Sequence, residues 1–203
     1  TSLGAEIAPV ATYNALRFNY ADLEETTLLI DIGARSTDMI FMEGGKMFVR
    51  TVKIGGADIT KAISKEFGTT FAEADSRKVT DGFVALGGAY ADHEDPEIAA
   101  MSKVVRNSLT RLHSEIMRTI TFYRSQQGGT APAMVLLGGA SAGLPFIREF
   151  FAEKLSLPVD CFNAFRNVTI SSGADADFVR ANAHAIGDLV GGALSQEFDV
   201  PVR

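Results

Sequence analysis

Two short apolar segments, each followed immediately by glycine, constrain the fold of this chain most. Segment 27–32 is apolar except for Thr27 and Asp31 and precedes Gly33, and segment 133–137 precedes a pair of glycines. Apolar runs of this length, bounded by glycine, are typical of strands that are buried on both faces of a sheet. Because such a sheet needs helices on both sides, we expect an α/β protein.

The spacing of apolar residues elsewhere predicts the other elements and their order. Further strands are predicted over 38–42, 47–54 and 158–162, with hairpin-turn residues at 43–46. Helices are predicted over 8–20, 57–67, from Thr70 onward, 95–124, 144–155 and 174–194. We predict a mixed five-stranded sheet, with three antiparallel strands followed by two parallel strands, helices on both faces and a helical insert.

The charge balance excludes two classes of function. The chain has 19 basic and 25 acidic residues, a net charge of −6, so it lacks the basic surface expected of a nucleic-acid-binding protein or of a polybasic membrane patch. Residues 125–147 carry no charge, but their glycines and prolines would break a membrane helix. We expect no nucleic acid partner and no direct membrane insertion.

The cysteine and histidine residues do not indicate a disulfide, a zinc site or a catalytic pair. A single cysteine, Cys161, excludes an internal disulfide, and we expect it to be a small core residue in its strand. Three widely spaced histidines do not form a zinc site with it. We find no nucleophile and base at catalytic spacing.

The turn after the first strand has a pattern that suits a phosphate and its magnesium ion. It contains an acid at the strand end, then a glycine and two hydroxyl residues, over residues 31–38. Backbone N–H groups and hydroxyls can face phosphate oxygens while the carboxylate holds the ion through water. The alternative is a hairpin turn with a capping aspartate.

The second glycine-rich turn, residues 138–145, follows the buried strand 133–137. Paired glycines allow the backbone to approach a flat ligand closely, and a following helix N-terminus favours anions. The alternative is close packing of the strand against the next helix. The turn is not a Walker loop, because it lacks Gly-Lys-Ser/Thr.

The order of these motifs is more specific than any one of them. Taken together they resemble the actin-like ATPase (ribonuclease H-like) superfamily, and more narrowly the second half of the PilM family of type IV pilus assembly proteins, which is related to the division protein FtsA. The similarity covers about residues 28 to 194. The motifs that carry it are 31–37, 54–60, 71–78, 137–144 and 186–194.

This resemblance implies that the chain binds ATP or ADP with Mg. It places Asp31, Gly33, Ser36 and Thr37 at the β- and γ-phosphates, with Asp31 holding Mg through water. Asp75 and Lys78 lie at the ribose, where relatives have a glutamate at the position of Asp75; a solvated helix surface is the alternative for both. The remaining residues implied in nucleotide binding are Gly55 and Gly56, and, around the adenosine, Gly138, Gly139, Ala140, Ser141 and Leu144.

The resemblance also implies a domain organisation. Relatives bind the nucleotide between two similar halves, and this chain has one phosphate loop and starts without methionine, so we expect it to be the second half of a longer protein. Residues 1–26 would be the crossover helix from the first half, 27–69 and 130–203 the lobe facing the nucleotide, and 70–129 an inserted, mainly helical subdomain.

The expected function is that of an ATP-binding scaffold on the cytoplasmic side of a type IV pilus or related secretion machine. An inner-membrane partner resembling PilN would bind through the first half and hold the protein at the membrane; other machine components and self-association are further candidates. Slow ATP hydrolysis is compatible with this reading, although no catalytic base is evident. The alternatives are a nucleotide-free scaffold of the same fold and a phosphotransferase resembling sugar kinases, for which Asp38 is the nearest candidate acid.

Overall fold

A computed structural model describes residues 7–87 and 93–195. Its strands are β1 (Thr27–Ile32), β2 (Thr37–Glu43), β3 (Lys46–Val52), β4 (Met134–Gly138) and β5 (Val159–Cys161). Its helices are α1 (Ala8–Asn19), α2 (Gly56–Phe67), α3 (Phe71–Asp81), α4 (Pro96–Gln126), α5 (Ile147–Leu155), α6 (Ala176–Asn182) and α7 (Gly187–Leu194), with a short 3₁₀ turn at Ala140–Gly143.

The five strands form one mixed sheet in the order β3-β2-β1-β4-β5. β2 pairs antiparallel with both β1 and β3, and β4 and β5 run parallel to β1. This confirms the predicted sheet. In the register, Asp31 of β1 lies opposite Asp38 of β2 and beside Gly138 of β4. The turn after β1 and the turn after β4 therefore lie side by side at the carboxyl ends of these two strands.

Side chains of β1 alternate between two hydrophobic cores on opposite faces of the sheet. Leu28, Ile30 and Ile32 belong to the larger core, which α2, α3, α4 and α5 cover. Leu29 belongs to the smaller core, on the side of α1. Because side chains alternate along a strand, Asp31 points to the same side as Leu29.

The helices begin where the sequence supplies capping groups. Thr70 and Glu73 form a reciprocal capping box at α3, in which the Thr70 N–H donates to the Glu73 carboxylate at 2.8 Å. Asp95 accepts the N–H of Glu97 at 2.8 Å at the start of α4. Gly68 ends α2 with φ at +63°, a conformation that glycine adopts without strain.

The long helix α4 packs one stripe of side chains onto the sheet, as its spacing predicted. This stripe and Ala74 of α3 belong to the larger core, so the helices within residues 70–129 share their hydrophobic core with the sheet. The buried residues of the stripe are Met101, Val105, Leu109, Leu112, Ile116, Ile120 and Tyr123. No helix in the described part of the chain has the length and apolar character needed to cross a membrane.

Segment 174–194 is mostly helical, as predicted, but it forms two helices, α6 and α7. Between them the carbonyl of His184 accepts the N–H of Gly139 at 2.8 Å. Cys161 is exposed, so its placement in the core was wrong. β5 is a three-residue strand at the edge of the sheet, and its end is left open to solvent.

Helices α1 and α7 come into direct backbone contact. A Cβ atom at Gly191 would lie 1.6 Å from the carbonyl oxygen of Ala11, whereas a Cβ atom at the neighbouring Gly192 would meet nothing within 4 Å. Gly191 is buried and Gly192 is exposed. The two helices can pack this closely only because residue 191 has no side chain.

We therefore expect Gly191→Ala to force α1 and α7 apart and to lower the free energy of unfolding by about 1–3 kcal/mol, as an overpacked core does. Gly192→Ala on the same helix is the matched control, and should be neutral or stabilising by up to about 1 kcal/mol. Urea unfolding of the two variants measures both values. Equal effects at the two positions would contradict the contact.

Candidate functional site

An open cleft of about 460 Å³ lies beyond the carboxyl ends of β1 and β4. One stripe of α3 forms a wall, the turn after β4 forms the facing wall, and the start of α2 lies between them. The cleft is lined by Ala34, Gly56, Ala57, Phe71, Asp75, Lys78, Val79, Gly82, Ala140, Ser141, Gly143, Leu144 and Pro145.

A hydrogen-bonded network of polar side chains joins α3 to α2 at this cleft. The Lys78 ammonium donates to Asp75 Oδ1 at 2.7 Å, to the Thr60 hydroxyl at 2.7 Å and to the Gly56 carbonyl at 3.4 Å. Thr60 donates to the same Oδ1 of Asp75 at 2.8 Å. The nearby ammonium and the Thr60 hydroxyl lower the pKa of Asp75, so this acid is charged at neutral pH.

Lys78 and Asp75 form an ion pair, and their side chains differ in exposure. The Lys78 side chain is 14% exposed and that of Asp75 is 47% exposed. Lys78 uses three donors within the network, whereas both bonds to Asp75 end on Oδ1. The second carboxylate oxygen of Asp75 is therefore the group of this network that can accept a hydrogen bond from a ligand in the cleft.

The first turn of α2 is bonded to the turn after β1. The N–H of Gly56 donates to the Gly33 carbonyl at 2.9 Å, and that of Ala57 donates to the Ala34 carbonyl at 2.8 Å. A Cβ atom at Gly55 would lie 2.7 Å from the carbonyl oxygens of both Gly33 and Ala34. The contact fixes the turn after β1 at the floor of the cleft, and it occupies two N–H groups at the N-terminus of α2.

The two hydroxyl residues of this turn have different environments. Thr37 is fully buried at the start of β2, and its hydroxyl donates to the Ile54 carbonyl at 2.7 Å. Ser36 is half-buried, and its carbonyl accepts the N–H of Gly33 at 3.0 Å. The Thr37 side chain thus holds β2 to the segment that leads into α2, and of the two hydroxyls that of Ser36 is the more accessible.

The glycine pair after β4 packs against the protein's own backbone. Gly139 has φ at +80°, and a Cβ atom on it would lie 2.4 Å from the Ile32 carbonyl oxygen and 2.5 Å from Asp31 Oδ1. A Cβ atom on Gly138 would lie 3.3 Å from Leu29 Cδ1. These glycines bring β1 and β4 together behind the cleft, whereas Ala140, Ser141 and Leu144 line the cleft itself.

Ser141 links the two glycine motifs. Its hydroxyl oxygen would lie 2.5 Å from a Cβ atom on Gly56, so the start of α2 and the turn after β4 approach each other at this point. Gly56 and Ser141 belong to motifs that are far apart in the sequence. The structure thus brings the turn after β1, the start of α2, the stripe of α3 and the turn after β4 to one place.

Asp31 lies at the end of β1 in an environment that disfavours its charge. Burial raises the pKa of Asp31 to about 6, with further increases from the carboxylates of Asp38 and Asp188. The buried Thr12 hydroxyl faces this carboxylate and lowers the pKa of Asp31, and it has no other hydrogen-bond partner within the described residues. Arg35, in the same turn, is exposed.

The sequence did not indicate two of the residues near Asp31, namely Thr12 and Asp188. Thr12 lies in α1, outside every motif, and Asp188 lies in the first turn of α7, within the motif 186–194 that was not assigned to the site. Only the packing of α1 on α7 brings them near Asp31. The described residues contain no group of three or more side chains of His, Cys, Asp or Glu arranged to hold a metal ion.

Comparisons with known proteins agree with the fold. The family model of the type IV pilus assembly protein PilM matches residues 7–196. A chain of the PilM-PilN type IV pilus biogenesis complex is similar, with a TM-score of 0.78 and 21% identity, over 95% of this chain and 52% of that chain.

Two further solved structures are similar. The ethanolamine utilization protein EutJ from Carboxydothermus hydrogenoformans has a TM-score of 0.60 and 20% identity, over 92% of this chain and 53% of that one. MreB5 of Spiroplasma citri, bound to AMPPNP, has a TM-score of 0.59 and 17% identity, over 96% of this chain and 60% of that one. The fold is therefore actin-like, and the chain spans half to three fifths of the length of these structures.

The environment of Asp31 predicts a pH-dependent cost to stability. Its folded pKa of about 6 exceeds the usual 3.8, so the folded state keeps the proton more tightly than the unfolded chain does. This group's contribution to stability therefore falls as pH rises from about 4 to 6, and it stays low above that range.

Asp31→Asn should remove this cost. We expect the variant to be more stable than the unaltered chain by about 1–3 kcal/mol at pH 7.5, with no difference near pH 3.5. Urea unfolding at both pH values is the measurement, and Glu24→Gln, at an exposed acid, is the control. A destabilised variant at pH 7.5 would show instead that the Asp31 carboxylate is a structural cap.

Proposed function

Because this chain belongs to the family of the type IV pilus assembly protein PilM, we propose that it is an ATP-binding scaffold unit of a type IV pilus or related secretion machine. The observation that carries the nucleotide proposal is the cleft between α3 and the turn after β4. It joins a fixed ion pair, an accessible carboxylate oxygen and an apolar wall, a combination that suits a sugar and a base.

Each part of the cleft has a proposed role. Asp75 accepts a ribose hydroxyl on its free oxygen, and Lys78 holds that carboxylate in place. The adenosine lies against the turn after β4, beside Ala140, Ser141 and Leu144. Gly138 and Gly139 shape this turn from behind, because they carry no side chain between β4 and β1.

The phosphates and Mg are proposed to lie at the other end of the cleft. Gly33, Ser36, Thr37, Gly55 and Gly56 form or fix the turn at its floor. A magnesium ion fits beside Asp31, because this carboxylate has no cationic neighbour among the groups that shift its pKa, and the Thr12 hydroxyl that it faces has no other hydrogen-bond partner within the described residues. When bound, the ion would offset the charge of the phosphates, and Asp31 would hold it through water.

The division of the chain follows from the same proposal. Residues 27–69 and 130–203 form the lobe that faces the nucleotide, 70–129 form the insert, and 1–26 lead in from a first half. Residues 1–6, 88–92 and 196–203 of these ranges lie outside the described residues. We propose that the first half supplies the opposite wall of the site and the surface that binds a PilN-like partner, which would place the protein on the cytoplasmic side of the inner membrane.

One observation favours a second candidate, a nucleotide-free scaffold of the same fold. The Lys78 ammonium donates hydrogen bonds to Gly56, Thr60 and Asp75, and the Thr37 hydroxyl donates one to the Ile54 carbonyl. Side chains satisfied in this way need no ligand. The free oxygen of Asp75 and the open cleft beside it distinguish the two candidates, since a scaffold without nucleotide has no use for either.

Mg-ATP should bind this chain more weakly than micromolar, because one wall leaves the phosphates in contact with water. Asp75→Ala should weaken binding of ATP about tenfold, a loss of about 1.4 kcal/mol, and should leave binding of inorganic triphosphate unchanged. Calorimetry and ligand-dependent melting curves measure these affinities. Glu66→Ala, at an exposed acid of α2 outside the cleft, is the matched control.

Two results would contradict the proposal. If neither this chain nor the longer protein binds Mg-ATP at millimolar concentration, the nucleotide-free scaffold is correct. If Asp75→Ala and Glu66→Ala have equal effects on ATP affinity, the nucleotide does not contact α3 through Asp75.

A further inference from the structure

The outer edge of β3 is open in the described structure. β3 is the last strand on its side of the sheet, and no described strand pairs with its outer edge. All seven of its residues are at least partly exposed, including Met47 at 40%. A strand with a free edge presents unpaired N–H and carbonyl groups, which can pair with another extended chain.

An aromatic groove runs beside this edge on the side of α4. Phe48 packs against Tyr123 with 5.2 Å between ring centroids, and against Phe122 with 6.1 Å. The guanidinium of Arg50 lies 5.8 Å from the centre of the Phe122 ring, which is itself 39% exposed. The groove therefore offers apolar surface with a cation above it.

A cavity of about 440 Å³ lies at the beginning of the same edge. It is formed where the hairpin before β3 meets the end of α4, and it is large enough for one apolar side chain of an added strand. The lining residues are Glu43, Gly44, Lys46, Met47, Phe48, Tyr123, Gln127, Gly128 and Gly129.

The charge of the edge is opposite to that of the whole chain. Lys46 and Arg50 lie on the α4 side of β3, and Lys53 follows the strand. The nearby acid Glu43 already accepts hydrogen bonds from the Tyr123 hydroxyl at 2.5 Å and from the Thr130 N–H at 3.1 Å. A chain of net charge −6 thus presents a basic strip beside its free strand edge.

We propose that the edge of β3, with its groove and cavity, binds an extended acidic segment of a partner protein as an added strand. Backbone pairing along β3 supplies binding energy, as in other cases of strand addition. Two acidic residues, four positions apart in the segment, face Lys46 and Arg50, and an apolar residue midway between them on the same face enters the cavity beside Phe48.

Charge argues against a second copy of this chain as the occupant. An antiparallel pair of β3 strands would bring Lys46 and Arg50 of one copy close to the same residues of the other. Like charges on facing strands destabilise the pair. An acidic segment removes this repulsion, so charge complementarity favours the partner over the copy.

The test uses a fluorescein-labelled seven-residue peptide, matched to the length of β3, with a central phenylalanine, a glutamate two residues away on each side of it, and valines at the other four positions. One control peptide has the same residues in blocks, and a second has lysines in place of glutamates. Fluorescence anisotropy at low salt should show binding of the alternating acidic peptide at least tenfold tighter than binding of either control.

Two protein variants locate the site. Arg50→Glu should weaken binding of the acidic peptide at least tenfold, whereas Lys61→Glu, an exposed charge reversal on α2, should leave it unchanged. Melting curves of both variants show whether each is folded. Amide NMR shifts of the unaltered chain give an independent readout, and they should change within 46–52 and at the end of α4.

Several outcomes would overturn the proposal: equal binding of the three peptides, no binding at millimolar concentration, or shifts confined to other surfaces. A dimer of the unaltered chain in sedimentation, with amide shifts within 46–52 that change on dilution, would assign the edge to a second copy instead. None of these results depends on nucleotide, so the proposal stands or fails independently of the cleft.

Discussion

The close approach of β1 and β4 at their carboxyl ends is the contact on which the rest of the site depends. Gly139 has no side chain, so its backbone packs against the Ile32 carbonyl and the Asp31 side chain while its N–H bonds to His184. This one residue joins the sheet, the Asp31 group and the turn between α6 and α7. The walls of the cleft take their positions from it, because the turns that leave both strands start there.

Most of the sheet could be predicted from the sequence, because the signals are local. The apolar run of β1, the hairpin glycines before β3 and the capping box at Thr70 each act within a few residues. The succession of three antiparallel strands and two parallel strands also followed from the pattern. The break between α6 and α7 did not, because it depends on a hydrogen bond from Gly139 to His184, which are distant in the chain.

Less of the site than of the sheet could be predicted, because many of its contacts join residues that are distant in the sequence. Motif positions gave Asp75, Lys78 and Ser141, and the structure brings all three to one cleft. The pattern did not show that Thr37 is bonded to Ile54, or that the glycine pair packs behind the cleft. The environment of Asp31, which includes Thr12 and Asp188, arises from helices at opposite ends of the described chain, and no local signal reports it.

The backbone contact between Ala11 and Gly191 also has a consequence for synthesis on the ribosome. These residues are about 180 positions apart, so α1 emerges long before the helix that covers it. At typical rates of translation the interval is roughly ten to forty seconds. Throughout that time the part of α1 that α7 covers in the folded protein is exposed on the nascent chain, where apolar surface promotes aggregation.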